Sequence, residues 1–201
     1  MQSTDWETLA AAADRLCGID EAGRGPLAGP VCAAAVILPP DFPPGILADS
    51  KALSPARREK AAEVIRERSR AWALGWAGPE EIDGMNILQA TLRAMSRAYA
   101  ALGMEADLVI VDGNRVPDLP VPCRAVVRGD SRVPAVMAAS ILAKTARDRV
   151  MDRYAWLYPE YGYDRHKGYP TREHRDLCLR LGPSPIQRLT FRVRNDGPGA
   201  P

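Results

Sequence analysis

Four acidic residues stand where a chain has little structural reason to put them. Asp20 and Glu21 lie side by side in CGIDEAGRGPLAGPV, directly after a short apolar run and directly before a glycine-rich loop. Asp112 follows the apolar LVIV and precedes Gly113, and Asp130 follows CRAVVRG, shortly before Pro134. Each spot is at or just past the C-terminal end of a strand-like run, the edge of an open α/β sheet where sites form. Carboxylates gathered in one place resist ionising together unless a divalent cation sits among them. An all-oxygen ligand set favours Mg²⁺ or Mn²⁺ over zinc. Two such ions about 3.5–4 Å apart can activate a water and stabilise the leaving oxygen in phosphodiester cleavage. One acid in this setting is better read as a turn cap; three in the same setting favour a metal site.

The loop after Glu21 carries two readings. GRGPLA matches the G-x-G-x-x-G/A dinucleotide fingerprint, but a strand rather than a helix should follow it, and the fingerprint needs a helix there. Alternatively, Gly23 and Gly25 leave the backbone bare, so that its N–H and C=O groups can touch a sugar. A ribose 2′-hydroxyl, both donor and acceptor, is a group such contacts can detect. Arg24 can then hold a phosphate.

Strands are expected at RLCGID, PVCAAAVILPP, AWALGWA, DLVIVDGN and CRAVVRGDS. Ser54 with Pro55 should open a helix reaching about Ser69. One long helix is expected over EEIDGMNILQATLRAMSRAYAAL, and another after Pro134 over AVMAASILAKTARDRVMDRY. A loop rich in Tyr, Gly and His then leads to a shorter helix. The order β, β, α, β, α, β, β, α, α predicts an α/β fold, a mixed sheet with helices on its faces. A helical crossover before Asp112 would lay its strand parallel to the first and bring Asp20 and Asp112 together.

The chain has 201 residues, enough to bury a core without disulfides or structural metal. Cys17, Cys32, Cys123 and Cys178 form no CxxC pair, so reduced thiols and a cytoplasmic location are expected. No apolar run approaches a membrane span, and the N-terminal stretch lacks the basic start of a secretory signal. Net charge is only +2, but residues 1–122 carry 12 basic and 17 acidic side chains, whereas 123–201 carry 15 and 8. A basic C-terminal part fits a polyanionic partner such as nucleic acid, and equally a solvated basic surface.

Taken together, GIDEAGRGPLAGPV, LADSKALS, EEIDGMNIL, VIVDGN, RGDSRVPAVMAASILAKTARDRVM and YPEYGYDRHKGYPTREH closely resemble ribonuclease HII, the bacterial type 2 ribonuclease H, from about Leu16 to Phe191. The resemblance implies a ribonuclease H-like mixed five-stranded sheet flanked by helices. It implies a catalytic domain over 1–157 and a small C-terminal helical extension over 158–194 that helps bind substrate; the Gly- and Pro-rich residues of RNDGPGAP separately suggest a disordered tail over 195–201. It also implies a catalytic and metal-binding set of Asp20, Glu21, Asp112 and Asp130, a sugar-sensing Gly23, Arg24 and Gly25, and a hydroxyl-sensing Tyr169 in HKGY. The implied activity is hydrolysis of the RNA strand of RNA–DNA hybrids, and cleavage 5′ of single ribonucleotides embedded in duplex DNA, leaving 3′-OH and 5′-phosphate ends. No obligate protein partner is expected, and a monomer is. The segment QRLTFRVR departs from the family's usual HRxSFxPV at Gln187, Thr190 and Arg192, which puts the C-terminal contacts to DNA in question. The type 3 enzyme of the same kind typically has a long N-terminal extension and a glutamate as fourth acid; here that acid is Asp130.

Further substrate contacts are candidates. Ser50 and Lys51 share a loop, and Ser140 and Lys144 stand at i and i+4 on one helix, so each pair can face a phosphate or simply solvent. His166 and Lys167 sit beside Tyr169 and can touch the duplex backbone, although loop polar contacts are the simpler role for His166 and His174.

Overall fold

The alternation of strand side chains decides which way the carboxylates face. The computed structural model describes residues 5–47 and 53–193. Strands β1 (Leu16–Ala22), β2 (Val31–Ile37), β3 (Ala71–Ala77), β4 (Leu108–Asp112) and β5 (Cys123–Val126) form one sheet in the order β3-β2-β1-β4-β5. β2 is antiparallel to both β1 and β3, whereas β4 is parallel to β1 and to β5. The crossover expected before Asp112 therefore exists, and Ile19 pairs with Val111 one residue before each acid.

The helices are α1 (Asp5–Ala12), α2 (Pro55–Arg68), α3 (Pro79–Met85), α4 (Ile87–Ala100), α5 (Pro134–Leu157), α6 (Tyr163–His166) and α7 (Arg172–Leu181). On one face of the sheet Cys17, Ile19, Val109 and Val111 pack with Ala90, Ala94 and Ala98 of α4. On the other, Cys32, Ala34 and Val36 meet Ala138, Ala139 and Leu142 of α5 and Ala62 and Ile65 of α2. Small residues let α5 lie very close: a Cβ on Gly18 would sit 2.1 Å from the carbonyl carbon of Ala135. That contact seats the start of α5 directly on the strand that carries Asp20.

Two elements differ from expectation. The long helix over 80–102 is two helices broken at Asn86, whose φ of 71° lies in the left-handed region. Its Oδ1 accepts from the N–H groups of Leu88 and Gln89, so the side chain starts α4 where α3 stops. α1 was not expected; it docks through Trp6, which packs against the cluster of Leu108, Ile110 and Val133 and lies under the guanidinium of Arg132. Ser50, Lys51 and the tail over 195–201 lie outside the described residues. No helix among the described residues is long and apolar enough to cross a membrane.

Candidate active site

Asp20 shares its strand face with Gly18 and Asp112 shares its face with Ile110, and both faces look towards α5. Asp130 arrives from a different element, the 3₁₀ turn Gly129–Ser131 that leads into α5, after Arg128 turns the chain through a left-handed φ of 60°. Its N–H donates to Asp112 Oδ1 at 3.4 Å. One carboxylate oxygen from each of Asp20, Asp112 and Asp130 lies within 4.8 Å of the other two. Glu21 has the opposite strand parity and is not part of this group. It borders the groove, and Arg24 donates to its Oε1 at 3.4 Å.

Burial, followed by the charges of Glu21 and Asp112, holds the Asp20 carboxyl well above the usual range, although the Ser140 side chain and the Glu21 N–H bond to it. Burial likewise raises Glu21, against the pull of Arg24. Three close carboxyl groups of hard oxygen, one of them only 5% exposed, fit a divalent cation such as Mg²⁺ or Mn²⁺. Ser140, one of the candidate phosphate contacts, bonds to Asp20 and lines the groove.

Beside the acids is a groove of about 390 Å³ lined by Glu21, Gly23, Arg24, Gly25, Ser140, Lys144 and Tyr169, among others. The two glycines are there for different reasons. Gly23 has φ +98°, and a Cβ there would strike Arg147 Nε at 2.1 Å; Gly25 faces open space. The loop runs on into β2, with no helix whose N-terminus could take a pyrophosphate, so the dinucleotide reading of GRGPLA fails. Tyr169 lies under the Lys144 ammonium, 5.4 Å from its ring centre, and the Arg147 guanidinium, at 5.6 Å. Lys144 also pairs with Asp148 at 2.7 Å, and Arg58 reaches the same carboxylate at 3.6 Å.

His166 takes the simpler of its two expected roles, a polar contact within the loop. It is buried, with Nε2 against Tyr161 O at 2.9 Å and Nδ1 accepting from Gly168 N–H. Its ring stacks on His174 at 4.2 Å. Both ring nitrogens are engaged in shaping the Tyr169 loop. Lys167 pairs with Asp152 at the edge of the same loop.

Two arginines that the sequence did not mark hold the loops in place. Arg147 and Arg188 are fully buried. Arg147 donates to the carbonyls of Pro30, Lys167 and Ala28 at 3.1, 3.0 and 3.2 Å. Arg188 donates to those of Gly29, Arg24, Pro26 and Gly23 at 2.9, 3.0, 2.8 and 2.6 Å. Burial, then the charge of Arg147, pushes Arg188 down to about 9. Its segment is fixed from the other side by Asp83, which accepts from Leu189 N–H, Thr190 N–H and the Thr190 hydroxyl. Thus Thr190, one of the departures in QRLTFRVR, anchors to α3. Gln187, another, is buried near Cys178.

Known proteins share this chain's sequence pattern and fold. The family model described as Ribonuclease HII matches residues 17–195. A ribonuclease HII of Dechloromonas aromatica is 57% identical over 176 residues, covering 88% of this chain and 90% of its own. One of Chlorobium luteolum is 53% identical over 189 residues, covering 91% of each chain. The crystal structure of ribonuclease H2 from Pyrococcus horikoshii superposes with a TM-score of 0.74 at 26% identity, covering 89% of this chain and 94% of that one. With a matching family model over nearly its whole length, and relatives above half identity, the chain belongs to the ribonuclease HII family of nucleases.

Proposed function

We propose that this enzyme hydrolyses the RNA strand of RNA–DNA hybrids and cuts on the 5′ side of a single ribonucleotide embedded in duplex DNA, with two Mg²⁺ or Mn²⁺ ions, leaving 3′-OH and 5′-phosphate ends. The observation that carries the reading is the approach of Asp20, Asp112 and Asp130 within 4.8 Å, beside a groove that Gly23 and Gly25 help to line. Asp20, Asp112 and Asp130 would hold the cations, with Glu21 completing the shell from the groove side. When bound, such ions neutralise charge on the phosphate and make a water acidic enough to attack it. Asp20 and Asp112 are fixed by their strands and Asp130 by its turn, so little reorganisation is needed for this chemistry.

Gly23, Arg24 and Gly25 lie against the sugar of the scissile nucleotide, and the Tyr169 ring packs on it from the opposite wall. Lys144 and Lys167 meet the phosphate backbone. The segment 158–194 brings Tyr169 to the groove and ties the sensor loop down, which supports its role as a substrate-binding extension of the catalytic body 1–157. The test is a labelled DNA duplex with one internal ribonucleotide, incubated with and without Mn²⁺. Expected is cleavage at that nucleotide only with the ion, and none by Asp20→Asn. Cutting by the folded Asp20→Asn protein would contradict the reading.

A further inference from the structure

The seat of Arg188 sets the direction of the sensor loop's peptide groups. In a planar trans peptide, the carbonyl and the N–H of the next residue point in opposite directions. Arg188 draws the carbonyls of Gly23 and Arg24 into the interior, at 2.6 and 3.0 Å. The N–H groups of Arg24 and Gly25 are thereby turned away from Arg188, in residues that line the groove. Gly25 adds no side chain to block that approach, and open space lies where its Cβ would be.

The cost of this arrangement argues that it does more than fill space. A buried cation is expensive unless its donors are all engaged. Here Arg188 lies near a second buried guanidinium, Arg147, which repels it. Arg188 meets its cost with four carbonyls drawn from residues 23–29, an acceptor set matched to the planar fork of a guanidinium and beyond the reach of an ammonium. Its own main chain is locked to the loop as well: Arg188 N–H donates to Leu27 O at 2.9 Å, and Gly29 N–H to Ile186 O at 2.8 Å. Arg147 carries the coupling to the far wall, because one guanidinium spans Ala28 O, Pro30 O and Lys167 O beside Tyr169.

We infer that Arg188 is the positioning residue for ribose recognition: by holding the carbonyls of Gly23 and Arg24 inward, it presents the N–H groups of Arg24 and Gly25 as donors to the 2′-hydroxyl of the scissile nucleotide. This rests on the reading that the scissile sugar lies against Gly23–Gly25. Arg188 touches neither substrate nor the carboxylates, so its removal should affect sugar discrimination rather than general affinity for a duplex.

The experiment measures fluorescence anisotropy in Ca²⁺ with two duplexes of one sequence, all-DNA and DNA with one ribonucleotide. The proteins are wild type, Arg188→Lys and Arg188→Met, each checked by circular dichroism and thermal unfolding. Wild type should bind the ribonucleotide duplex more tightly. Each folded variant should bind all-DNA as wild type does and lose about tenfold of the preference, the scale of one hydrogen bond to a hydroxyl. Should Arg188→Met not fold, Arg188→Lys, which keeps charge and bulk, decides alone. A preference that survives in Arg188→Lys overturns the inference while leaving the function intact. So does equal weakening on both duplexes, or loss of the fold in both variants, either of which would make Arg188 a stability residue only. A wild type without preference contradicts the functional reading itself and overturns the inference with it.

Discussion

At the scale of single residues, the carboxylate cluster costs stability when no cation is present. The folded Asp20 carboxyl holds its proton more tightly than the unfolded one, because it is buried and faces Glu21 and Asp112. For an acid raised in this way, the stabilising contribution is present below the unfolded value of about 4 and lost as pH rises through the folded value. At neutral pH, in chelator, Asp20→Asn should therefore melt a few degrees above wild type, each kcal/mol being worth roughly 2–4 °C in a chain of this size. The gap should close below about pH 4, where Asp20 is protonated in both states. Adding Mn²⁺ should raise the melting temperature of wild type and leave the variant where it was. Scanning calorimetry across pH checks this, and identical melting of the two proteins at every pH would contradict it. Asp20 and Asp112 were legible in the sequence because each ends an apolar strand. Arg188 was not, because a basic residue near the end of a chain looks like solvated surface, and its four acceptors lie some 160 positions away.

At the scale of elements, the site depends on how closely α5 lies on β1. Gly18 makes that approach possible, since a Cβ there would meet backbone atoms of Ala135 and Val136 at 2.1 and 2.3 Å, with no flexible side chain to yield. Gly18→Ala should cost about 1–3 kcal/mol, the usual range for overpacking. It should also lower activity beyond any loss of folded protein, because α5 carries Ser140 and follows directly on the turn that holds Asp130. Urea unfolding and cleavage assays on the folded fraction check both halves, and a variant as stable and active as wild type would contradict the close seat. The five strands, α2 and α5 were readable from periodicity and punctuation. The break at Asn86 was not, because the apolar spacing runs through it and only the left-handed backbone of one asparagine divides the helix. The stacking of His166 on His174 was not legible, because two histidines stacked inside a loop are indistinguishable, in sequence, from two at the surface.

At the scale of the whole molecule, the sheet and the C-terminal segment divide the work. The sheet fixes acids from β1 and β4 at one rim, and the turn before α5 adds the third. The chain from α6 onward folds back over the loop after β1, joined to it by Arg188, by the Ala28–Gln187 bridge and by Leu27 N–H to Gly168 O. The three acids of the cluster thus come from segments far apart in sequence, and the fold alone sets their distance. The most direct test of that convergence is anomalous diffraction from crystals of the protein soaked in Mn²⁺. The expected result is a manganese peak within coordination distance of carboxylate oxygens from Asp20, Asp112 and Asp130 together. Manganese bound elsewhere, with no peak among those three residues in crystals whose protein still cleaves, would contradict it.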